Sequence, residues 1–586
     1  MSDSFKTVLI KDARIADITS QEVYGVVSGG SQSTQNQITA TSKSTSSIVF
    51  QVQVPSENIV IDRNVMIQAS LDFNIAIQGR DDLPEDTVVF NYGRTDAFQA
   101  FPLNELFTTS SATINNTNIS ANLQDILPQL TNMNSARDLY RYNATTPSLP
   151  DSQWGVFRDG VDGTNNPLGG FANNALDPDF DPRGAYPAVI TIDHYINGAI
   201  ADHSAVSTAA GARESWIINV KATVTEGLWG LSPFTWSDPE YNAQGIIGVS
   251  NMSFVFNIDS TCKRLWSSST GLINSITLTN NCFNTCQLLL TYLSLQPTDV
   301  VETRNVVPYL DFPRFISNST TVLPAYVQAR DGLNPQKFTI SSNSIQLNQV
   351  PDKFIIVARK PMSQQNWNNT SSFLPISNIV CNFNNQSGLL SSSTQVDLWK
   401  FSMSNASAQT WNSFNGFASV NNVDGDGSLV PTIGSMLVLS PSLQFGLPNY
   451  LASGSQGNFN FQFNLTVYNT LPYDVQPEIV LIAVNSGIMV TSQGVSNIYT
   501  GILTKEIVLK TCEEQAVEPV TSVEYNRLVG GKLGNMALTA LNRIHKRRPF
   551  NQGVLQGGEE SGGGHSRHAV HGGKHHAHKK KAHALI

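Results

Sequence analysis

Apolar residues alternate with polar residues over several long stretches of this chain. Between Ile67 and Ile77 every odd position is apolar, and the even positions are polar except for one alanine. "NFNFQFNLTVY" at 458–468 repeats the pattern with Phe, Leu and Val. Shorter stretches with the same alternation lie at 50–54, 216–224 and 252–258. A period of two puts one face of a strand against a core and the other in water, so the pattern predicts half-buried antiparallel strands.

Helical periodicity is scarce before residue 530. One short amphipathic helix is predicted around Leu123, Ile126, Leu127 and Leu130. Strands do not alternate with long helices, which disfavours parallel α/β folds. The sequence therefore predicts an all-β fold of the sandwich or jelly-roll type, with short helices and long loops. The longest strand-poor connection is predicted from 132 to 213.

Only 14% of the 586 residues are charged, well below the roughly 25% of an average soluble domain. Asn, Gln, Ser and Thr replace the missing charge. Such neutral groups suit surfaces that meet other proteins, because they form hydrogen bonds without the large cost of dehydrating an ion. No apolar run reaches the roughly 20 residues of a membrane helix, and the amino-terminal segment lacks the apolar centre of a signal peptide. We therefore expect a soluble protein made inside a cell.

The two halves of the chain repeat one order of elements. In the first half "ATINNTNIS" leads into "ANLQDIL" at 121–127, and in the second "SNIVCNFNNQSG" leads into "STQVDLW" at 393–399. Each pair passes into long loops and returns as alternating strands. The pattern predicts two copies of one β-sandwich that meet near residues 296–320.

The domain boundaries follow from this repeat. We predict an N-terminal arm at 1–46, a first jelly roll at 47–300, a second at 301–515 and a C-terminal segment at 516–586. The polar arm has two open interpretations: it reaches a neighbouring molecule, or it is loose.

Two stretches resemble a known family of viral proteins. "PLNELFTTSSATINNTNISANLQDILPQL" at 102–130 and "SSNSIQLNQVPDKFIIVARKP" at 341–361 resemble the double jelly-roll major capsid proteins of polinton-like viruses and virophages, relatives of the capsid proteins of adenoviruses and giant DNA viruses. The resemblance implies two tandem eight-stranded jelly rolls. It also implies a homotrimer whose six jelly rolls form a pseudohexagonal tile of an icosahedral shell. Under this interpretation the strand edges and the helix in the 102–130 stretch lie along contacts between subunits.

The resemblance also implies a location and partners. We expect the protein in the virion of a DNA virus, assembled inside the host cell, with penton and minor capsid proteins as neighbours. The function is structural rather than enzymatic, and no cofactor is predicted. A trimeric viral fibre or glycan-binding adhesin is the main alternative, and a secreted polysaccharide-active enzyme is another. The chain shows neither the stalk repeat of an adhesin nor the signal peptide of a secreted enzyme.

Positive charge is concentrated in the C-terminal segment. From Arg527 onward the chain has eleven Lys and Arg residues and only two Glu, which gives a net charge of +9. Eight of the ten histidines also lie there. A short helix is predicted around 536–544, followed by a low-complexity Gly/His/Lys tail. Three interpretations stay open: contact with packaged DNA, contact with acidic lipids of an internal membrane, and a solvated tail. The candidate contact residues are Arg543, Lys546, Arg547, Arg548, Lys579, Lys580 and Lys581.

Two Gly-Gly pairs in the same segment resemble the cleavage pattern of adenovirus-like maturation proteases. "LVGG" ends at Gly531 before Lys532, and "LQGG" ends at Gly558 before Glu559. Glycine lets an extended chain enter a narrow protease cleft because it has no β-carbon. The alternative is that these glycines are flexible linkers.

Residues suited to metal binding or catalysis are few. Cys282 and Cys286 form a CxxxC motif without a second ligand pair, so ordinary buried cysteines are favoured over a zinc site. Acidic turns at 177–183 and 422–428 have two interpretations, a weak calcium loop or ordinary turn residues, and neither matches an EF-hand. His194 is predicted in a loop, and no GxSxG motif supplies a nucleophile. The sequence therefore predicts no catalytic and no metal site.

Overall fold

The computed structural model describes most of the chain between residues 32 and 501. The described residues are 32–78, 90, 92, 96–134, 188–196, 199–200, 215–234, 245–268, 271–294, 304–332, 334–367, 372–421, 427–448 and 451–501. Within them the chain forms 28 strands and six α-helices. None of these helices has the length and apolar character that a bilayer crossing requires.

Fifteen strands belong to the first half of the chain, up to Ser294. They are β1 (Gln32–Thr39), β2 (Ser42–Lys43), β3 (Ser47–Gln53), β4 (Val60–Ile61), β5 (Met66–Gln78), β6 (Asp96–Phe98), β7 (Phe107–Ile114), β8 (Thr117–Ala121), β9 (Ala188–Ile196), β10 (Ala199–Ile200), β11 (Ser215–Gly227), β12 (Asn251–Ile258), β13 (Trp266–Ser268), β14 (Ile273–Leu278) and β15 (Cys286–Ser294). The larger sheet has the order β1-β15-β5-β11-β9-β10, with β4 on β15 and β14 on β5. The smaller sheet has the order β2-β3-β12-β7-β8, and β6 pairs with β13.

Thirteen strands belong to the second half. They are β16 (Asn305–Asp311), β17 (Arg314–Asn318), β18 (Lys337–Ser341), β19 (Ile345–Gln349), β20 (Lys353–Arg359), β21 (Ile376–Phe383), β22 (Gln386–Leu389), β23 (Phe417–Asn421), β24 (Gly427–Pro431), β25 (Leu437–Leu439), β26 (Gln456–Tyr468), β27 (Glu478–Ser492) and β28 (Val495–Thr500). One sheet has the order β16-β27-β20-β25, with β17 and β28 on β27. The other has the order β18-β26-β21-β22, with β19 on β26, and β23 pairs with β24.

The helices are short and lie between strands. They are α1 (Pro102–Leu106), α2 (Leu123–Asn132), α3 (Gln328–Asp331), α4 (Gln395–Ser404), α5 (Trp411–Asn415) and α6 (Pro441–Gln444), with a 3-10 turn at Met362–Gln364. The helix predicted around Leu123 is thus confirmed as α2. The all-β prediction is also confirmed, because sheets carry both halves.

Burial follows the alternation in the sequence. Along β5 the residues from Ile67 to Ile77 are at most 1% exposed at every odd position, and the even positions are half-buried. β11, β12 and β26 lie where alternation predicted strands. Four strands lie in stretches predicted to be loop or arm. β9 and β10 fall inside the predicted long loop, and β1 and β2 fall inside the predicted polar arm, where β1 pairs with β15 and β2 with β3 of the same chain.

The two halves have equivalent sheets. In the larger sheets, β1-β15-β5-β11 corresponds to β16-β27-β20-β25, strand by strand. In the smaller sheets, β3-β12-β7-β8 corresponds to β19-β26-β21-β22. The hairpins β7–β8 and β21–β22 even share a turn Asn, Asn115 and Asn384, each with φ of 51°. Each hairpin precedes a ten-residue helix, α2 or α4. The predicted internal repeat is therefore present in the fold.

Candidate functional site

The two halves meet along an apolar contact, which we call the seam: the contact between residues up to Ser294 and those from 304 on. β20 is buried at every position except Lys353. Phe354 and Ile356 point into the core of the second half, whereas Ile355 and Val357 join the core cluster of the first half. Strands β25 and β27 divide their side chains in the same way. β20, β25 and β27 are therefore buried on both faces within one chain.

The seam was not predicted, although the sequence carries a signal for it. Uninterrupted apolar runs, "FIIVA" at 354–358 and "IVLIAV" at 479–484, are typical of strands buried on both faces. Burial of each such side chain stabilises the fold by roughly 1.5–3 kcal/mol. The seam is thus a continuous core rather than a hinge between separate domains.

Helix α2 lies in this seam, and the expectation that it serves contacts between subunits is wrong. Nine of its ten residues are buried within the single chain. Leu123, Ile126, Leu127 and Leu130 are each at most 1% exposed and pack in the same cluster as Val357. A side chain already buried in its own chain offers no area to a neighbour. The helix therefore joins the two halves of one molecule.

A buried ionic cluster ties α2 to the second half. Arg359 on β20, 2% exposed, donates from Nη2 to Asp125 Oδ1 on α2 at 2.7 Å and from Nε to Glu478 Oε1 on β27 at 2.8 Å. Arg314 on β17 approaches the other Asp125 oxygen at 2.7 Å. Two strands of the second half, β17 and β20, thus each place an arginine on one carboxylate of the first half. Loss of one partner in such a cluster leaves a buried charge unpaired, which is strongly destabilising.

A second group of buried charges lies at the start of α1. Both oxygens of Glu226 accept hydrogen bonds, from the backbone N–H of Leu103 and Asn104 at 3.1 and 3.0 Å, and from Asn104 Nδ2 at 2.7 Å. Glu105 pairs with Arg264 at 2.6 Å. Burial raises the pKa of Glu226 and of Glu105 to about 7, against the hydrogen bonds and the Arg264 charge that lower it. The carboxyl groups of Glu226 and Glu105 therefore bind protons near neutral pH rather than near pH 4.5.

Stability is predicted to fall as pH rises from about 4.5 to about 7. Between the ordinary pKa of 4.5 and about 7, the folded chain holds a proton on Glu226 that the unfolded chain has released. Glu226→Gln removes this difference, so the unfolding free energy of the variant should vary less with pH than that of wild type, by on the order of 3 kcal/mol across this range. Thermal midpoints measured at several pH values report the difference. The exposed Glu57→Gln is the matched control and should keep the wild-type profile. Identical pH profiles for Glu226→Gln and wild type would contradict the assignment.

Neutral polar groups close the seam at a strand edge. The hairpin β7–β8 meets β28 of the second half, where Thr117 Oγ1 donates to the Ser496 carbonyl at 2.6 Å. Ser496 N–H donates to Asn116 Oδ1 at 2.9 Å, and Ser496 Oγ donates to the Ile114 carbonyl at 2.5 Å. The Asn- and Thr-rich sequence of this hairpin thus satisfies backbone groups across the seam inside one chain.

Most residues selected from the sequence lie outside the described part of the chain. These are the candidate cleavage residues Gly531, Lys532, Gly558 and Glu559, all seven basic contact residues, the 536–544 helix, and the acidic residues of both turns. His194 lies on β9, in a strand rather than the predicted loop. Cys282 and Cys286 are buried, and burial raises the pKa of both thiols to about 12, which opposes the thiolate form that metals bind. Among the described residues no group of three or more His, Cys, Asp or Glu is placed to hold a metal ion.

Comparisons with known proteins cover most of the chain. The family described as "Sputnik virophage major capsid protein 1st domain" matches residues 2–293, and "Major capsid protein V20 C-terminal domain" matches 314–487. A Sputnik virophage protein described as capsid protein V20 is 27% identical over an alignment of 561 positions, which covers 90% of this chain and 87% of that protein. The chain belongs to the virophage major capsid protein family. The resemblance of 102–130 and 341–361 to virophage-type major capsid proteins is confirmed.

Solved structures agree with this virophage capsid family. A chain of the Sputnik virophage cryo-EM structure matches with a TM-score of 0.71 at 25% identity, over 90% of this chain and 99% of that chain. The crystal structure of the mavirus major capsid protein matches with a TM-score of 0.59 at 13% identity, over 89% and 99%. At 13% identity, the match to the mavirus protein shows a shared fold. The predicted double jelly roll is confirmed.

Proposed function

We propose that this virophage-type capsid protein forms homotrimers, and that the six jelly rolls of each trimer make one pseudohexagonal tile of the icosahedral shell of a DNA virus. The family membership supports a capsid role. The observation that carries the tile geometry is the internal repeat, because two equivalent sandwiches per chain give six units in a closed ring of three. The role needs no catalytic residue and no cofactor.

The seam makes each chain suitable as a rigid unit of such a ring. β20, β25 and β27 are buried on both faces, so the two sandwiches of one copy hold a fixed relation. A closed ring of three uses head-to-tail contacts, in which one surface of each copy meets a different surface of the next. Obligate contacts of this kind often bury more than about 2,000 Å².

Light scattering on the purified chain tests the trimer. The expected species has three times the 63.8 kDa mass of one chain after size-exclusion chromatography. A stable monomer that persists at high protein concentration would contradict the proposal. Urea below the unfolding transition serves as the control, because it should release folded monomers before the far-ultraviolet circular dichroism changes.

The predicted domain limits are part of the same proposal. We assign 47–300 and 301–515 to the two jelly rolls and 516–586 to a C-terminal segment. Of the predicted 1–46 arm, β1 and β2 pair with strands of the first jelly roll and are assigned to it, so the arm is proposed to end before Gln32. The family descriptions match 2–293 and 314–487, which supports a division close to residue 300. Penton and minor capsid proteins are the further partners, and synthesis in the host cell is part of the proposal.

The basic C-terminal segment is proposed to face the interior and to bind packaged DNA. From Arg527 onward its net charge is +9, in contrast with −9 for the whole chain. Phosphate contacts of Lys and Arg are salt-dependent. Substituting Lys579, Lys580 and Lys581 with Gln should weaken DNA binding and reduce its salt dependence. The same binding measurement with vesicles of acidic lipids tests the membrane alternative. If the Gln variant bound both DNA and vesicles as well as wild type, these three lysines would contact neither.

The two Gly-Gly pairs are proposed as sites of proteolytic maturation. Cleavage after Gly531 or Gly558 would leave Lys532 or Glu559 as a new amino terminus. Intact-mass spectrometry of mature particles should find chains ending at one of these glycines. Particles whose chains all end at Ile586 would rule out processing.

A further inference from the structure

The buried charges at α1 and those in the seam are joined through Arg264. Arg264 is 4% exposed and lies 2.6 Å from Glu105 of α1. Its Nη1 also donates to the backbone carbonyl of Gln124 in α2 at 2.9 Å. The next residue of α2, Asp125, accepts from Arg359 of the second half. A continuous line of contacts therefore runs from α1 through α2 to β20.

Charges along this line influence one another. Burial lowers the pKa of the Arg264 guanidinium. The negative charges of Glu105 and Asp125 oppose this shift, and the positive charge of Arg359 adds to it. Solvent screens buried charges much less than exposed ones, so their interactions extend beyond direct contacts. A change of charge at α1 is therefore felt in the seam.

Seven side chains form what we call the charge network. Six of them are at most 12% exposed, and that of Arg314 is 32% exposed. The network comprises the carboxyl groups of Glu105, Asp125, Glu226 and Glu478 and the guanidinium groups of Arg264, Arg314 and Arg359. Counted over the described part of the chain, four negative charges face three positive ones, so one bound proton balances them. A buried charge without a partner is costly, which favours the bound proton.

Glu226 is the carboxyl group best placed to hold this proton. The other three each contact an arginine: Glu105 contacts Arg264, and Asp125 and Glu478 contact Arg359. Both oxygens of Glu226 instead accept hydrogen bonds from neutral groups of α1. Burial raises the pKa of Glu226 to about 7, against the hydrogen bonds that lower it and with a further increase from the Glu105 charge.

Other titratable groups near α1 do not change charge in this range. The charged side chains of the neighbouring segments bind other groups: Asp259 accepts from Thr261, Lys263 donates to the Ser363 carbonyl, and Arg63 donates to the Pro233 carbonyl. Burial raises the pKa of Cys262, so its thiol stays neutral near pH 7. The change of charge near neutral pH therefore falls on Glu226 and Glu105.

We propose that the contact between the two halves is proton-dependent: a proton bound at Glu226 and Glu105 balances the charge network, and its release weakens the seam. The unfolded carboxyl group has released this proton above its ordinary pKa of 4.5, whereas the folded one holds it up to about 7. The stabilisation is therefore present at low pH and is lost as pH rises through about 7. This switch lies within one folded chain and does not depend on trimer formation.

Hydrogen exchange of the full-length chain tests whether the seam responds to pH. Between about pH 6 and about pH 8, the pKa difference between 4.5 and about 7 should raise the population of the open seam about tenfold. Protection factors of the α2 and β20 amides, which are corrected for the intrinsic effect of pH on exchange, should fall by the same factor. In Glu226→Gln they should stay constant over this range.

Charge changes in the second half test whether the proton belongs to the whole network. Glu478→Gln removes a negative charge, so it should lower the pH at which the folded chain releases the proton. Arg359→Met removes a positive charge and should raise that pH. Shifts of roughly 0.3–1 pH unit are expected when buried charges interact beyond direct contact. An isolated carboxyl group at α1 would respond to neither change.

Infrared difference spectroscopy of the folded variants measures this pH directly. The carboxylic acid band that Glu226→Gln removes reports the protonated group, and its titration gives the midpoint. Lys221→Met is the matched control, because it removes a cation that is 58% exposed and lies outside the charge network. This control should keep the wild-type midpoint.

Each of three results would overturn the proposal. Protection factors of α2 and β20 that do not change between about pH 6 and about pH 8 would show that the seam is not proton-dependent. The absence of a carboxylic acid band below neutral pH would show that no proton is held. Equal midpoints for wild type and Glu478→Gln would confine the proton to α1. This last comparison remains decisive if Arg359→Met does not fold, because glutamine keeps the volume of Glu478.

Discussion

Arg359→Met is expected to lower the free energy of unfolding by about 3–5 kcal/mol. Arg359 is 2% exposed and pairs with Asp125 of the first half and Glu478 of the second. Methionine fills much of the same volume but leaves two buried carboxylates with one fewer cation. The denaturant-unfolding midpoint, followed by tryptophan fluorescence and circular dichroism, measures the loss.

Lys221→Met is the control for this substitution. It removes the cation of an ion pair at 3.3 Å whose lysine side chain is 58% exposed. Exposed pairs contribute about 0–1 kcal/mol, so this variant should unfold close to wild type. If Arg359→Met lost no more than Lys221→Met, the buried cluster would have no special role in joining the halves.

Val357→Asp is expected to destabilise the chain by at least about 4 kcal/mol, because it places an unpaired charge in the seam. Val357 is fully buried and packs against the first half, not against the core of its own half. If the seam were a loose contact between independent domains, the two halves would part and the carboxylate would be hydrated at small cost.

Val322→Asp makes the same change at a position that is 53% exposed. Surface substitutions of this kind usually change stability by no more than about 0.5 kcal/mol. The comparison of the two midpoints therefore isolates the cost of the buried position. Two separate unfolding transitions in Val357→Asp, one of them at the wild-type midpoint, would show that the halves fold independently.

The sequence was most informative where one face of a strand meets water. Alternation predicted β5, β11, β12 and β26 because, along most of each strand, buried apolar residues alternate with more exposed polar residues. β9 was missed because "AVITIDHYI" follows a connection rich in Gly, Pro and Asp and has no strict alternation. Its strand conformation depends on pairing with β11, which lies further along the chain.

The seam was harder to predict because its partners are far apart in the sequence. Asp125 and Arg359 are separated by 234 positions, and no local pattern links them. Both lie in the stretches that resemble capsid proteins, so the family was recognised from residues whose contact was not foreseen. The helix α2 was predicted correctly from its periodicity, but periodicity states which side is apolar and not which surface covers it.

The two-sided burial of β20 and β27 also bears on how the chain reaches its fold during translation. All strands of the first sandwich are synthesised before those of the second. At that stage α2 and its neighbours are still exposed, because residues 353–359 and 478–484, which bury them in the folded chain, have not yet been made. Transiently exposed apolar surface of this kind promotes aggregation in nascent proteins. β27 is synthesised near the end of the second sandwich, and it also completes the burial of the first. Truncated products that end before β27 would therefore expose apolar surface on both sandwiches and would be prone to aggregate.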